Sequence, residues 1–305
     1  LMLRRHRYPL RDTGQVHADG EPERENMVPS QVAVLTSFTD VQNNRLETQV
    51  MGWGAGEEAW TIEYHVLYGD PTAEPLWAEL WELLSRQRYL ERGGVDYIRS
   101  SAIDSGYAAT SVYKFVAPRP IYMTPDGRNS YTWATKGRAG TGQVWPKKPG
   151  QSQLKNVPVY TVMVDDAKDI MSARLQNIEE PGPGYVHFPL DFGESYFRQL
   201  TAEQAFTRRD KKGFAHKVWE LKKGRQRNEV WDTLVGNYAA LCALYSIGFD
   251  LQGECEELAR RTPWEPPAVQ GEPAPPVAPP APEVVAQAQQ NGQWLRGGRR
   301  GKWLR

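Results

Sequence analysis

Three aspartates stand where neighbouring elements of a fold could bring them together. Asp40 ends the apolar run "VLTSFTD", Asp104 ends "YIRSSAID", and Asp232 begins the helical stretch "RNEVWDTLVGNYAALCALY". Neighbouring strand ends in one sheet lie about 5 Å apart. Carboxylates gathered at one place repel each other, and their pKa values rise unless a cation occupies the space between them. The pattern therefore predicts a site for a divalent metal ion.

A site of this kind could cleave phosphodiester bonds. Mg²⁺ and Mn²⁺ are hard cations, and Mg²⁺ is bound by a few carboxylate oxygens together with water and substrate phosphate. Two such ions about 3.5–4 Å apart activate a water and stabilise the leaving 3′-oxygen. Glu229 lies one turn before Asp232 on the same helix face and is a candidate auxiliary ligand. We therefore expect Asp40, Asp104 and Asp232 to hold two Mg²⁺ or Mn²⁺ ions.

Each of these acids also has a simpler explanation. Asp40 could cap the turn that follows it, and Asp104 in "DSG" could cap a turn or a helix. Asp232 and Glu229 could each be a favourable first-turn charge against the helix dipole. The three aspartates together are therefore stronger evidence for a metal site than any one of them alone.

Other polar residues compete for a role in the same site. Asp191 and Glu194 in "DFGE" are rival third ligands, although capping fits that motif better. His187 beside Phe188 is more often a packed structural histidine than a catalytic base. The acids expected to cap the helix that follows them are Asp165, Asp166 and Asp169.

A basic segment, 207–227, holds nine Lys and Arg residues against Asp210 and Glu220. Such a run is usually a solvated face, but a phosphate-binding surface also requires one. Lys136 in "WATKG" and Lys168 in "DDAKD" could be surface lysines or phosphate contacts. The expected DNA-backbone contacts are Lys136, Lys168, Arg208, Arg209, Lys211, Lys212, Lys222, Lys223, Arg225 and Arg227. Contacts of this kind do not read sequence, and their binding weakens as salt rises.

Hydrophobic periodicity predicts the elements that must position these residues. Three β-rich segments, 32–39, 45–54 and 58–68, are joined by short turns and indicate an antiparallel meander. The later pattern predicts an amphipathic helix in "EPLWAELWELLSRQRY", a short helix at 107–116, helices at 166–176 and 194–203, and a long helix from about Asn228 to Ile247. The strands predicted between these helices are "VDYIRSSAID", 131–135, 157–164 and 185–188. A basic hairpin is expected over 204–221. This order predicts an RNase H-like α/β fold, whose mixed sheet has three antiparallel strands followed by parallel ones and is flanked by helices.

Composition limits the class of protein. The chain has 305 residues, of which 40% are hydrophobic, enough for a substantial core. Its 37 basic and 37 acidic residues give no overall bias towards nucleic acid. No apolar run approaches the roughly 20 residues that cross a bilayer, so we expect no membrane association. The two cysteines have no CxxC spacing, which fits a reducing cytoplasm and argues against a zinc site.

Four regions are expected along the chain. Residues 1–30 are polar and broken by Gly and Pro, as in a leader or the remnant of a linker. The folded domain covers 31–250. A Pro/Ala-rich linker follows over 251–290, and the basic tail 291–305 contains two Trp-Leu-Arg elements.

Six blocks of sequence, taken in order, resemble a known family. They are "TDVQNNRLETQVMGWGAGEEAWTIEYHVLYGDP", "AIDSGYAATSVYKF", "WATKGRAG", "VDDAKDIMSARL", "EEPGPGYVHFPLDFGESYFRQLTAEQ" and "RNEVWDTLVGNYAALCAL". Together they are similar to the C-terminal nuclease domain of phage lambda-type terminase large subunits, the GpA family, over roughly residues 30–250. Members often read "GVDVQ" and "IDSGG" where this chain has "FTDVQ" and "IDSGYAA", which changes residues beside the acids but not the acids themselves.

The resemblance implies a function and partners. It implies an RNase H-like endonuclease that cuts concatemeric double-stranded phage DNA during genome packaging in the host cytoplasm, with the family's acids at Asp40, Asp104 and Asp232. It also implies a terminase small subunit as partner, and the tail "QWLRGGRRGKWLR" is a candidate docking peptide for a portal protein or DNA. Full terminases carry a packaging ATPase, but no G-x-x-x-x-G-K-[ST] loop occurs here, so we expect no ATP hydrolysis.

Two other classes of function remain open from the sequence. An RNase H-like transposase or resolvase would use a similar acidic set but would join strands or prefer branched DNA. A non-catalytic DNA-binding or assembly module would leave DNA intact with any metal, and would leave the recurrence of acids at two strand ends and a helix start unexplained.

Overall fold

The computed structural model describes residue 1 and residues 4–16, 22–152, 157–177, 179–209 and 211–260, and within these ranges a ten-stranded mixed sheet forms the centre of the fold. The Pro/Ala-rich stretch from residue 261 onwards and the tail 291–305 lie outside the described residues. The architecture is a mixed α/β fold with helices packed against the large sheet.

The elements have the following bounds. The strands are β1 (Arg5–His6), β2 (Leu10–Val16), β3 (Pro22–Asn26), β4 (Val34–Val41), β5 (Arg45–Trp53), β6 (Ala59–Tyr68), β7 (Arg88–Tyr89), β8 (Val95–Asp96), β9 (Ile98–Asp104), β10 (Ile121–Met123), β11 (Asn129–Arg138), β12 (Gly150–Gln151), β13 (Pro158–Met163), β14 (Val186–Pro189), β15 (Glu203–Arg209) and β16 (Ala215–Leu221). The helices are α1 (Glu74–Ser85), α2 (Ala109–Val116), α3 (Val164–Asn177), α4 (Glu194–Leu200), α5 (Glu229–Ser246) and α6 (Leu251–Arg260).

The large sheet joins an antiparallel meander to a set of parallel strands. Its order is β1-β14-β6-β5-β4-β9-β11-β13-β12, with β10 paired to β11. Strands β4, β5 and β6 are antiparallel neighbours, whereas β4–β9, β9–β11 and β11–β13 pair in parallel. The predicted change from an antiparallel meander to parallel strands is confirmed.

Alternating side chains of the central strands fill two separate cores. Phe38 and Ala102 pack in the core that includes α3, α4 and α5, whereas Leu35 and Ile103 pack in the core that includes α1 and α2. Since successive residues of a strand point to opposite faces, the two cores lie on the two faces of the sheet. Among the helices of the described ranges, α5 is the most buried, and its residues from Val230 to Leu244 are almost all covered.

The ends of the domain differ from the sequence expectation. Within 1–30, expected to be a linker remnant, β1 pairs with β14 at the edge of the sheet, and Tyr8 and Val28 are buried. The region from 251, expected to be linker, begins with α6, whose Leu251 is buried and whose Glu254 pairs with Arg128 at 2.9 Å. Both segments are short and rich in charge, so they lack the apolar periodicity from which a strand or helix is predicted.

None of the helices in the described ranges is long and apolar enough on its own to span a membrane, and α5 and α6 pass that test only when joined across an 89° bend.

Candidate active site

Two of the predicted acids end neighbouring parallel strands. Thr39 of β4 pairs with Ile103 of β9, so Asp40 and Asp104 follow at adjacent positions in the ladder. Asp40 lies two residues after Phe38, and Asp104 lies two residues after Ala102, so both acids share the sheet face that α5 covers. The strand ends therefore bring these two carboxyl groups to one edge of the sheet.

The third acid reaches the same edge because α5 packs unusually close to β4. Gly236 lies one turn after Asp232, and a Cβ placed on Gly236 would lie 2.2 Å from the ring of Phe38. Any larger residue would push the helix away from the strand, because an approach of that kind is closer than van der Waals contact. The glycine thus allows the first turn of α5 to carry Asp232 to the ends of β4 and β9.

One pocket of about 320 Å³ joins these residues. The three acids line it together with Lys168, and its other lining residues are Phe38, Thr135, Gly137, Ala139, Val162, Val164, Val235 and Gly236. Residues far apart in the sequence, at 40, 104 and 232, therefore share one cavity. We call it the acidic pocket.

The acidic pocket raises the pKa of all three carboxyl groups. Burial raises the pKa of Asp40 to about 7, and the charges of Asp232 and Asp104 add to the shift. Burial likewise raises the pKa of Asp232 to about 6, with Lys168 opposing the shift and Asp104 adding to it. The pKa of Asp104 is raised by burial, against the opposing effect of nearby backbone N–H groups. The charges that repel one another here are those that a divalent cation would neutralise.

Protein donors occupy the three carboxylates. Gln42 Nε2 donates to Asp40 Oδ2 at 2.5 Å, and the backbone N–H of Gly106 donates to Asp104 Oδ2 at 3.0 Å. Lys168 Nζ lies 3.2 Å from Asp232 Oδ1. Each acid is thus held by a hydrogen bond or an ion pair from its own surroundings.

The donor chemistry fits a hard divalent cation in kind. Mg²⁺ and Mn²⁺ favour carboxylate oxygens, and three of these groups line the acidic pocket. In the described part of the chain, no three His, Cys, Asp or Glu side chains already stand in a metal-binding arrangement. The Asp232 side chain is 36% exposed, so a ligand can reach it.

The two lysines predicted to contact phosphate have different surroundings. Lys136 in β11 is exposed and does not line the acidic pocket, although its charge opposes the rise in the pKa of Asp104. Lys168 is only 8% exposed, with its Nζ 2.7 Å from Glu203 Oε2 as well as 3.2 Å from Asp232. Lys168 is therefore part of the pocket wall and not a surface lysine.

Glu229 does not line the acidic pocket, contrary to the expectation that it is an auxiliary ligand. Its Oε1 accepts a hydrogen bond from Arg45 Nη2 at 2.6 Å, and its Oε2 lies 3.2 Å from Arg227 Nε. The same two arginines also bind the fully buried Glu47 of β5. Glu229 therefore belongs to a four-membered ion-pair network beside the pocket, formed by Arg45, Glu47, Arg227 and Glu229.

The rival acids serve other contacts. Asp191 is exposed near Asn26, and Glu194 pairs with Arg198 at 2.9 Å, so neither acid lines the acidic pocket. The acids at the start of α3 hold neighbouring segments more than they cap the helix. Asp165 accepts from the backbone N–H of Gly140 at 2.7 Å, Asp166 accepts from that of Gly142, and Asp169 binds Lys217 and the Trp219 indole.

His187 has the structural role that its sequence context suggested. Its ring stacks on Trp60 with centroids 4.8 Å apart, and its Nε2 lies 2.6 Å from Glu58 Oε1. Burial lowers the pKa of His187, although Glu58 opposes this shift. The imidazole is packed away from the acidic pocket.

The predicted basic hairpin is confirmed as β15 and β16. These strands pair in antiparallel register, with Glu203 opposite Leu221 at one end and Arg209 opposite Ala215 at the other. The charges of the basic segment 207–227 differ in exposure and in their partners. Arg208 pairs with Glu220 at 2.6 Å, and Lys222 Nζ donates to the carbonyl of Thr201 at 2.8 Å. Arg209, Lys211, Lys212 and Lys223 are exposed, Arg225 is half-buried, and Arg227 belongs to the ion-pair network. The exposed set is therefore a candidate surface for phosphates.

Two residues that contact the wall of the acidic pocket from outside its lining carried no signal in the sequence. Glu203 begins β15 and accepts a hydrogen bond at its Oε1 from Asn228 Nδ2 at 2.6 Å. Asn228 also donates to Asp232 Oδ2 at 2.8 Å. Both residues lie at element ends, where an acid or an amide is ordinary capping chemistry, so only their position in three dimensions connects them to Asp232.

Comparisons with known proteins point to one family. The model of the terminase large subunit gpA endonuclease domain matches residues 1–247. The terminase large subunit of Escherichia phage lambda is 28% identical over 239 residues, which is 76% of this chain and 35% of that protein. The terminase large subunit of Enterobacteria phage P21 is 28% identical over 223 residues, which is 70% of this chain and 33% of that protein.

The chain spans about a third of the length of these two curated relatives. No solved structure matches it significantly. The family match extends over most of the chain and includes the three elements that carry Asp40, Asp104 and Asp232. The chain therefore belongs to the terminase large subunit gpA endonuclease domain family.

Proposed function

We propose that this chain is a metal-dependent DNA endonuclease that hydrolyses phosphodiester bonds of concatemeric double-stranded phage DNA during genome packaging. The observation that carries the proposal is the convergence of Asp40, Asp104 and Asp232 in one pocket of about 320 Å³. Membership of a family of terminase endonuclease domains supports the same class of reaction.

The proposed fold is RNase H-like. The order β6-β5-β4-β9-β11 supports it, because an antiparallel meander continues into parallel strands at its first strand, β4. The acids lie at the ends of β4 and β9 and at the start of α5, outside the strand ends where open α/β sheets bind their ligands.

Asp40, Asp104 and Asp232 would hold two Mg²⁺ or Mn²⁺ ions. When bound, such ions supply an activated water and stabilise charge on the leaving oxygen of the cut strand. The protein's own contribution is to fix the ligands: Gln42 orients Asp40, and the N–H of Gly106 orients Asp104. The packing of α5 on β4 then sets the position of Asp232.

DNA would be held through its backbone. The exposed Lys136 is near enough to Asp104 for its charge to act on that carboxyl group, and the basic hairpin begins at Glu203, whose carboxylate contacts Lys168 in the acidic pocket. Exposed basic side chains along the hairpin would therefore meet phosphates on either side of the bond that is cut, without reading base sequence.

The partners proposed for the function are a terminase small subunit, which would supply cut-site specificity, and a portal protein. The basic tail 291–305 is the segment we propose for docking to the portal or to DNA, and host cytoplasm is the proposed location. Deletion of residues 291–305 should weaken portal binding and packaging while leaving cleavage of plasmid DNA unchanged. Unchanged portal binding would remove the tail from the proposal.

Digestion of supercoiled plasmid with Mg²⁺ or Mn²⁺ tests the central proposal. Asp40→Asn, Asp104→Asn and Asp232→Asn should each reduce the cutting rate by about a hundredfold or more, since each removes a ligand charge. Asp191→Asn is the matched control, because Asp191 is an exposed acid outside the acidic pocket. Folded pocket variants that cut as fast as the parent would refute the assignment. A strong preference for branched DNA over linear duplex would instead identify a resolvase.

A further inference from the structure

Lys168 is a buried cation inside a cluster of acids. It lies in α3 between the core residues Ala167 and Met171, and only 8% of it is exposed. Burial of an ammonium group is costly unless it is paired and hydrogen-bonded. The pairing here is double, because Lys168 Nζ lies 2.7 Å from Glu203 Oε2 and 3.2 Å from Asp232 Oδ1. The lysine is therefore shared between one acid of the acidic pocket and one acid outside its lining.

Asn228 closes these contacts into a ring. Its Nδ2 donates to Glu203 Oε1 at 2.6 Å and to Asp232 Oδ2 at 2.8 Å. Both carboxylate oxygens of Asp232 are consequently engaged, one by Lys168 and the other by Asn228. A cation that binds to Asp232 therefore shares its oxygens with these two donors or displaces one of them.

The two ion pairs of Lys168 are not equivalent. The contact with Glu203 is shorter by 0.5 Å, the difference between 3.2 Å and 2.7 Å. The Glu203 side chain is also only 7% exposed, whereas that of Asp232 is 36% exposed. Glu203 is thus the more enclosed partner, and Asp232 is the partner that an incoming ion can reach.

We propose that Lys168 is a built-in counter-ion that holds Asp232 while the acidic pocket contains no metal, and that it releases Asp232 and remains on Glu203 when a divalent cation binds. This inference rests on the proposed function, because it assumes that Asp232 is a metal ligand. Lys168 is then a positioning residue that offsets the charge of Asp232 among the three carboxylates, and it competes directly with the metal ion. Glu203 and Asn228 are its anchors.

Titration of the full chain with Mn²⁺ by calorimetry, without DNA and at about pH 8 so that the carboxyl groups are ionised, tests this role. Lys168→Met should bind Mn²⁺ about tenfold more tightly, because one competing positive charge has gone. Glu203→Gln should bind severalfold more weakly, because the lysine then has only Asp232 as a charged partner in the ring. The double variant should behave like Lys168→Met, since Glu203 acts through the lysine.

Lys217→Met is the matched control and should bind Mn²⁺ like the parent, because Lys217 pairs with Asp169 outside the acidic pocket. A folded Lys168→Met protein with unchanged or weaker Mn²⁺ affinity would overturn the inference. If Lys168→Met does not fold, unchanged affinity in Glu203→Gln overturns it instead. Failure of the parent to bind Mn²⁺ would overturn the proposed metal site as well, which distinguishes the two proposals.

Discussion

Gly236 of α5 lies directly against the ring of Phe38 in β4, where a Cβ would come within 2.2 Å of the ring atoms. The contact connects the packing of the core to the position of a candidate ligand. Phe38 lies two residues before Asp40, and Gly236 lies four residues after Asp232. The distance between these two acids therefore depends on a glycine that takes no part in the chemistry.

Gly236→Ala should separate α5 from β4. Alanine favours a helix interior over glycine by about 1 kcal/mol, but overpacking of a core typically costs about 1–3 kcal/mol. We expect a net loss of stability in urea unfolding and a loss of metal-dependent cleavage, because Asp232 moves away from Asp40. Gly193→Ala is the control, since Gly193 has a φ of −85° and open space around it. Parent-like stability and cleavage in Gly236→Ala would show that the helix can adjust.

The raised pKa of Asp40 predicts how stability without metal depends on pH. Burial and the charges of Asp232 and Asp104 bring this pKa to about 7, whereas an unfolded aspartate ionises at about pH 4. Between these two values the folded protein holds a proton that the unfolded chain has lost. The contribution of Asp40 is therefore fully present below about pH 4 and is lost as the pH rises through about 7.

Urea unfolding in EDTA across this range measures the effect. The parent should lose stability from about pH 4 to pH 8, and Asp40→Asn should lose less, with a difference on the order of a few kcal/mol. Over the same pH range, stabilisation of the fold by Mn²⁺ should grow as the pH rises, because Mn²⁺ and the proton compete for the Asp40 carboxylate. If the parent and Asp40→Asn lost stability equally over this pH range, Asp40 would not be a buried carboxyl group that its acidic neighbours repel.

The elements that carry the candidate site could be predicted because each has a strong local pattern. The strand ends at Asp40 and Asp104 follow apolar runs, and α5 combines an acidic first turn with a long apolar stripe. The amphipathic helix α1 and the basic hairpin are equally clear. In these segments hydrophobic periodicity and tertiary packing agree, so local sequence is sufficient.

The features that could not be predicted from the sequence depend on residues that lie far away along the chain. Strand β1 has only two residues and is stabilised by its pairing with β14, about which nothing near Arg5 gives information. The environment of Lys168 depends on Glu203 and Asp232, which lie 35 and 64 positions away. A lysine followed by an aspartate at the start of a helix looks like a solvated face until the fold buries it.

Glu229→Gln should separate stability from metal binding. Glu229 accepts hydrogen bonds from Arg45 and Arg227 and does not line the acidic pocket. Without the charge of Glu229, Arg45 and Arg227 keep only Glu47 as an acidic partner in the ion-pair network. This loss should destabilise the fold by about 1–3 kcal/mol. Its affinity for Mn²⁺ in calorimetry should stay within about twofold of the parent, in contrast to Asp232→Asn, whose lost ligand charge should weaken binding. A loss of affinity equal to that of Asp232→Asn would restore Glu229 as a ligand.

The exposed charges of the hairpin should determine how DNA binding responds to salt. Arg209, Lys211 and Lys223 are exposed around β15 and β16, and each that neutralises a phosphate contributes about 0.9 to the slope of log affinity against log salt. Replacing all three by alanine should weaken binding to duplexes of unrelated sequence alike and should flatten that slope, as measured by fluorescence anisotropy. Lys114→Ala is the matched control, because Lys114 is an exposed lysine of α2, the helix packed in the core on the other face of the sheet. An unchanged slope in the triple variant would place the DNA on another surface, since charge contacts with phosphate are the source of this salt dependence.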